Sequence, residues 1–223
     1  MSLIKIGYFS LLVIGSCIGG IRYSTLSPAF KILAWSVFMI LLTTITDYFF
    51  ISRYHHNEPV LQIQCFEEYV FYSLVYYNLF KNEVIKKVIV ISLIIIIVFF
   101  PINAFFFQPF LHSFPTYVNT PAQALNTMFS LLLFKEMLDY PLKVKIIHQS
   151  IFWFNTAMLF YGTTMFFMLG ISNYIAARPF SDSVIADLWY FIDYLFHILI
   201  CVALLTDNGE NTTPVAANTK LMS

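Results

Sequence analysis

Charge is what this sequence has least of. Among 223 residues only 11% are charged, twelve Lys and Arg against twelve Asp and Glu, so the formal net charge is zero. A soluble domain carries about 25% charged residues. With 59% hydrophobic residues, the chain has too little polar surface to cover a fold in water, and lipid is the natural solvent for the excess. A net charge of zero also removes the global field that would recruit nucleic acid, so no nucleic-acid partner is expected. Cysteine is scarce as well. Cys17, Cys65 and Cys201 lie in apolar stretches without CxxC spacing, which excludes a disulfide framework and a zinc knuckle. They read as small apolar residues. HExxH, GxSxG and a glycine-rich phosphate loop are all missing, so no catalytic residue, bound metal or cofactor is assigned. Segment 183–206 has no lysine, which leaves a retinal Schiff base no anchor. No internal repeat relates the first three apolar segments to the last three, as a two-half carrier would require.

What the chain does have is long apolar runs. Seven of them are near the ~20 residues that cross a bilayer: 3–21, 28–51, 60–80, 88–107, 117–137, 150–171 and 183–206. The expected fold is all-α, a seven-helix transmembrane bundle over residues 1–206, followed by a polar tail, 207–223, expected to be disordered. Pro28 suits a first helical turn, and Pro101 should kink the fourth span. Basic residues set the direction. One set of ends holds Arg22, Lys31, Lys81, Lys86, Lys87, Lys135, Lys143, Lys145 and Lys220; the other holds Lys5, Arg53 and Arg178. The richer side is cytoplasmic, which places the N-terminus outside and the C-terminus inside, in a multi-pass protein of the inner (plasma) membrane with the bilayer as its first partner. Aromatic belts agree, with Tyr54, Tyr174 and Trp189 outside and Trp35, Tyr140 and Trp153 inside.

Polar side chains within the spans need a reason, because a charge at a span centre costs about 2.5–3.5 kcal/mol. Asp47, Glu67, Glu68, Asp193 and His197 are of this kind. Residues three or four apart share a helix face. That rule gives stripes of Gln64, Glu68, Tyr72 and Tyr76; of Asn119, Gln123, Asn126 and Ser130; of Tyr190, Asp193, His197 and Cys201; and of Ser36, Thr43 and Asp47. Glu67 lies about 100° round from Glu68 and need not share its pocket. At about 1.5 Å per residue, Asp47 lies roughly 6 Å and Glu68 roughly 12 Å in from the outer side, with Asp193 at a similar depth. The expectation is an acidic, aromatic-lined cavity opening outward. Its candidate ligand-binding residues are Asp47, Glu68, Tyr72, Gln123, Asn126, Tyr190, Asp193 and His197. The same groups could instead hydrogen-bond between helices and only hold the bundle together, and Asp193 and His197 could pair within one helix. Carboxylates with one imidazole also make a metal set, loosely similar to that of intramembrane metal hydrolases.

The last third carries a family likeness. Phe152-Trp153-Phe154-Asn155, Leu159-Phe160-Tyr161-Gly162, Phe166-Phe167-Met168-Leu169 and Ser172-Asn173-Tyr174 resemble the sixth span of bacterial seven-helix sensor modules that work with histidine kinases. Leu131-Leu132-Leu133-Phe134-Lys135 and Leu188-Trp189 are similar too. The resemblance covers residues 120–206. It implies an outward-facing input module with an intracellular output. No phosphoacceptor helix or ATP-binding domain follows residue 206, so a signalling role would need a separate cytoplasmic or membrane partner, docked on the basic loops. The expected function is a sensor or receptor-like protein for a small ligand, ion or proton. The alternatives are a small transporter or proton/cation-conducting protein, and an intramembrane metal-dependent lipid hydrolase.

Overall fold

A computed structural model of the chain describes residues 3–111, 113–140, 145–176 and 182–209. All seven expected segments are helices: α1 Leu3–Arg22, α2 Pro28–Tyr54, α3 Glu58–Leu79, α4 Glu83–Ile102, α5 Thr116–Asp139, α6 Ser150–Ala176 and α7 Asp182–Thr206. Local chemistry sets their ends. Pro28 and Pro59 occupy first turns, where a missing N–H costs nothing. The Asn82 side chain accepts the Val84 N–H at 2.9 Å and caps α4. His55 turns left-handed, φ 60°, and closes α2. Pro101 does not stop α4. The α-helix runs on to Ile102 and then widens into a π-helical turn, Asn103–Phe107.

Five helices are long and apolar enough to cross a membrane. α3 and α5 fall short by composition, not length. At 22 and 24 residues they extend about 33 and 36 Å, but they carry the Gln64–Glu68 and Asn119–Asn126 polar stripes.

The packing explains that difference. α1, α2, α3, α5, α6 and α7 pack side by side in a closed ring, α7 meeting α1 and α3 meeting α5, while α4 lies outside against α3 and α5. α3 and α5 thus bury their polar faces in the ring. α4 buries only Ile89, Ser92 and Ile96, and Ile91, Ile94, Ile95 and Val98 point away from the protein. This is why the most continuous isoleucine run sits there: its solvent is not protein. Ser92 is the polar link, accepting the Tyr69 hydroxyl at 2.9 Å.

Helices consecutive in the chain alternate in direction, so α1 runs parallel to α7 and α3 to α5, and the ring has two ends. Arg22, Lys31, Lys81, Lys86, Lys87, Lys135 and Lys145 lie at one end, and Lys5 and Arg53 at the other. Lys143, Arg178 and Lys220 lie outside the described residues, as does the side chain of Tyr174. The apolar core is built on Phe30, Tyr76, Phe129, Phe154 and Phe196 and extends toward the opposite end through Tyr8, Tyr161 and Met165. Phe154 stands between Phe30 and Tyr76, with ring centroids 6.3 and 5.3 Å away.

The expected disordered tail does not begin at Asp207. That residue is fully buried. Its carboxylate accepts the Ser27 N–H at 2.7 Å and the Ser150 hydroxyl at 3.0 Å. Arg22 donates to the Asp207 carbonyl at 2.6 Å and to Asn208 Oδ1 at 3.0 Å. The chain just after α7 is thereby clasped to α1, α2 and α6, because a buried carboxylate needs donors and the α2 and α6 starts supply them. Residues 210–223 lie outside the described residues.

Candidate functional site

A cavity of about 520 Å³ opens at the end of the ring opposite the basic residues. All six ring helices line it and α4 does not. α1 gives Lys5 and Tyr8; α2 gives Thr44, Asp47, Tyr48 and Ile51; α3 gives Leu61, Gln64, Cys65 and Glu68. Asn119 comes from α5, Tyr161 and Met165 from α6, and Trp189, Tyr190 and Asp193 from α7. Asn57 and Phe114 enter from the connections.

Glu68 is the deepest-set carboxylate and is buried. Gln64, one turn earlier on the same face, donates to Oε1 at 2.9 Å, and the Tyr161 hydroxyl donates to Oε2 at 3.2 Å. Glu68 thereby joins α3 to α6. Asp47, nearer the mouth, accepts from Asn57 Nδ2 at 2.6 Å. Asp193 has no hydrogen-bond partner for its carboxylate among the described residues; it faces the cavity, close enough to Glu68 for the two to interact electrostatically. Glu67 points elsewhere, taking the Thr43 hydroxyl at 2.9 Å between α2 and α3, as its offset from Glu68 requires.

At the mouth, Phe114 meets Trp189 edge-on at 5.7 Å. The connection that carries Phe114 is held by Gln62, whose amide donates to Ser113 O at 2.9 Å, and by Gln108, which donates to Thr116 Oγ1 at 2.6 Å. Aromatic packing continues beneath the cavity: Tyr161, which lines it, lies on Phe196, ring centroids 4.4 Å apart, and Phe196 meets Tyr72 at 5.8 Å.

Of the eight candidate residues, Asp47, Glu68, Tyr190 and Asp193 line the cavity. Tyr72, Gln123, Asn126 and His197 do not; they are buried beyond it. His197 donates from Nδ1 to the Asp193 backbone carbonyl at 2.9 Å and stacks edge-on with Tyr8 and Phe196. It therefore neither pairs with the Asp193 carboxylate nor joins the acids. Among the described residues no group of three His, Cys, Asp or Glu side chains is placed to hold a metal ion. Gln123 instead donates to Asn119 Oδ1 at 3.1 Å, supporting a residue that does reach the cavity.

Tyr8, Tyr48 and Tyr161 also line the cavity, although none of them falls on a polar stripe of the sequence. Their signal was present but faint: Tyr8 and Tyr161 each fall in an apolar run where tyrosine reads as one more hydrophobe, and Tyr48 differs from its neighbours only in following Asp47. No known protein family, curated protein or solved structure matches this chain, so its functional reading rests on the geometry of this cavity.

Proposed function

We propose that all seven helices cross the plasma membrane with the N-terminus outside, and that the chain is a receptor-like input module. In this reading a small ligand enters the cavity from outside and a change in helix packing passes to a cytoplasmic partner. The observation that carries it is the cavity itself, polar and aromatic, at the end poor in basic residues. A bundle that only anchored itself would fill that space with side chains, because interiors are close-packed.

The connection to the inner face runs along α7. Asp193 at the cavity and Asp207 at the clasp are fourteen positions apart, about 21 Å of helix. A ligand bridging Asp193 and Glu68 changes how α7 sits against α3 and α6. The rigid helix carries that change to the point where Asp207 ties α1, α2 and α6 together. The shift extends only as far as the ligand prefers one packing over the other. Conduction is less well supported, since Tyr72, Phe196, Phe154 and Phe30 close the bundle below the cavity. Metal-dependent hydrolysis is less well supported because His197 is turned away from the carboxylates.

Cys65 lines the cavity and reports its access. In a Cys17→Ser, Cys201→Ser background, a membrane-impermeant methanethiosulfonate should modify Cys65 in intact cells and not in sealed inside-out vesicles. The reverse pattern refutes the orientation. Failure to modify Cys65 and a Leu61→Cys variant from either side refutes the open cavity.

A further inference from the structure

The carboxylates, rings and volume of the cavity point to one ligand chemistry, given the outward-opening reading above. We propose that the cavity binds a small organic ammonium compound, its cationic head between Glu68 and Asp193 and its apolar part against Tyr161 and Met165.

Four observations converge. Three carboxylates, Asp47, Glu68 and Asp193, line the cavity against a single ammonium, that of Lys5. Asp47 and Glu68 have amide or hydroxyl donors, but the Asp193 carboxylate has none among the described residues. A cation placed beside a carboxylate in a low-dielectric wall offsets the cost of its charge.

The walls are rings: Tyr8, Tyr48, Tyr161, Trp189 and Tyr190. Aromatic faces attract ammonium groups within about 6 Å of the centroid, and cages of this kind recognise quaternary ammonium. The chain already shows the contact, because Lys5 Nζ sits 5.9 Å from the Tyr190 ring centroid. Lys5 thus places an ammonium of the protein's own at the cavity wall.

Coordination disfavours a bare divalent cation. A bare Ca²⁺ needs six to eight oxygens at about 2.3–2.6 Å, and the carboxylates do not converge in that way. A volume near 520 Å³ instead falls within the range of organic ligand pockets, about 300–1,000 Å³. Ile51, Leu61 and Met165 offer it apolar contact.

The test uses the full chain, carrying Cys17→Ser and Cys201→Ser, in nanodiscs. The rate of Cys65 modification by an uncharged maleimide is measured against added benzyltrimethylammonium, its neutral isostere neopentylbenzene, and benzenesulfonate. Benzyltrimethylammonium is expected to slow modification in a saturable way, and the other two are not. Asp193→Asn should raise its half-protecting concentration about tenfold, the loss of one close charge pair. Lys5→Gln removes the built-in ammonium and should lower it. Protection is read against each variant's own unprotected labelling rate, and a melting temperature within about 2 °C of wild type shows that the variant keeps the fold.

Equal protection by the neutral isostere overturns the ammonium assignment and leaves the receptor-like reading standing. So does protection that neither Asp193→Asn nor Lys5→Gln alters. A Cys65 that no reagent reaches overturns both.

Discussion

Asp207 offers the sharpest energetic test of how this bundle is closed. Replacing it with alanine removes the acceptor of the Ser27 N–H at 2.7 Å and of the Ser150 hydroxyl at 3.0 Å. Both donors are buried, Ser27 at 3% and Ser150 at 1% exposure, so water does not replace the lost oxygens. The Ser150 hydroxyl can rotate toward a carbonyl of its own helix, but the Ser27 amide is fixed by the backbone. A hydrogen bond to a charged acceptor contributes about 1.5–3 kcal/mol, and a stranded buried donor costs about 1–3 kcal/mol. The expected destabilisation of Asp207→Ala is therefore about 3–5 kcal/mol. Asp207→Asn keeps one carbonyl acceptor and should cost roughly half as much. At about 2–4 °C per kcal/mol for a domain of this size, alanine lowers the melting temperature by roughly 6–20 °C. Trp153, three residues from Ser150, is a nearby fluorophore, and thermal unfolding of the detergent-purified chain followed by its emission is the assay. A shift of less than about 2 °C for alanine, or an asparagine variant less stable than alanine, refutes the clasp.

Other expectations concern single contacts. A Cβ on Gly19 would lie 2.8 Å from Ala34 Cβ, whereas one on Gly20 meets nothing within 4 Å. Gly19→Ala should cost about 1–3 kcal/mol by forcing α1 from α2, and Gly20→Ala should be neutral or stabilise by up to about 1 kcal/mol; equal melting temperatures would contradict the close approach. Gly162→Val should destabilise strongly, because the Cβ already lies 2.8 Å from Thr127 Oγ1 and 3.2 Å from Gln123 O; wild-type thermal stability would refute this tight α5–α6 seam. Tyr76→Phe removes a buried hydroxyl bonded to Ser130 and Asn155 and should cost about 1–2 kcal/mol in the same melts. Glu67→Gln should leave the labelling rate of Cys65 unchanged while Glu68→Gln alters it, since only Glu68 lines the cavity; equal effects would count against the separation of the two carboxylates.

The helices were legible because apolar run length reports them directly. Each helix lies within a few residues of its apolar run, with the largest shifts at α4, which starts at Glu83 rather than near residue 88, and at α6, which ends at Ala176 rather than near residue 171. The opposite facing of Glu67 and Glu68 was legible too, since adjacent helical residues diverge by about 100°. Depth was harder to read. A stripe such as Asp193 and His197 fixes a face, but each step of four descends about 6 Å. The stripe therefore crosses from the cavity into the packed core beyond it, and His197, Tyr72, Gln123 and Asn126 end below. Asp207 was not legible at all. Its partners Ser27 and Ser150 lie 180 and 57 residues away, and only the closed ring brings them to it.

That closure sets an order on biosynthesis. A chain made from its N-terminus delivers α1, α2 and α3 first, with Asp47 and Glu68 already on their inward faces. The Tyr161 hydroxyl that completes Glu68 comes 93 residues later. The seam between α1 and α7 can form only when the final helix arrives. Throughout that interval the half-built arc presents its carboxylates to whatever surrounds it. α4, the most apolar helix and the one outside the ring, is inserted in the middle of the wait. On the proposed reading that the helices cross a membrane, the nascent protein needs a polar surrogate for its missing half, a requirement that the finished fold no longer has.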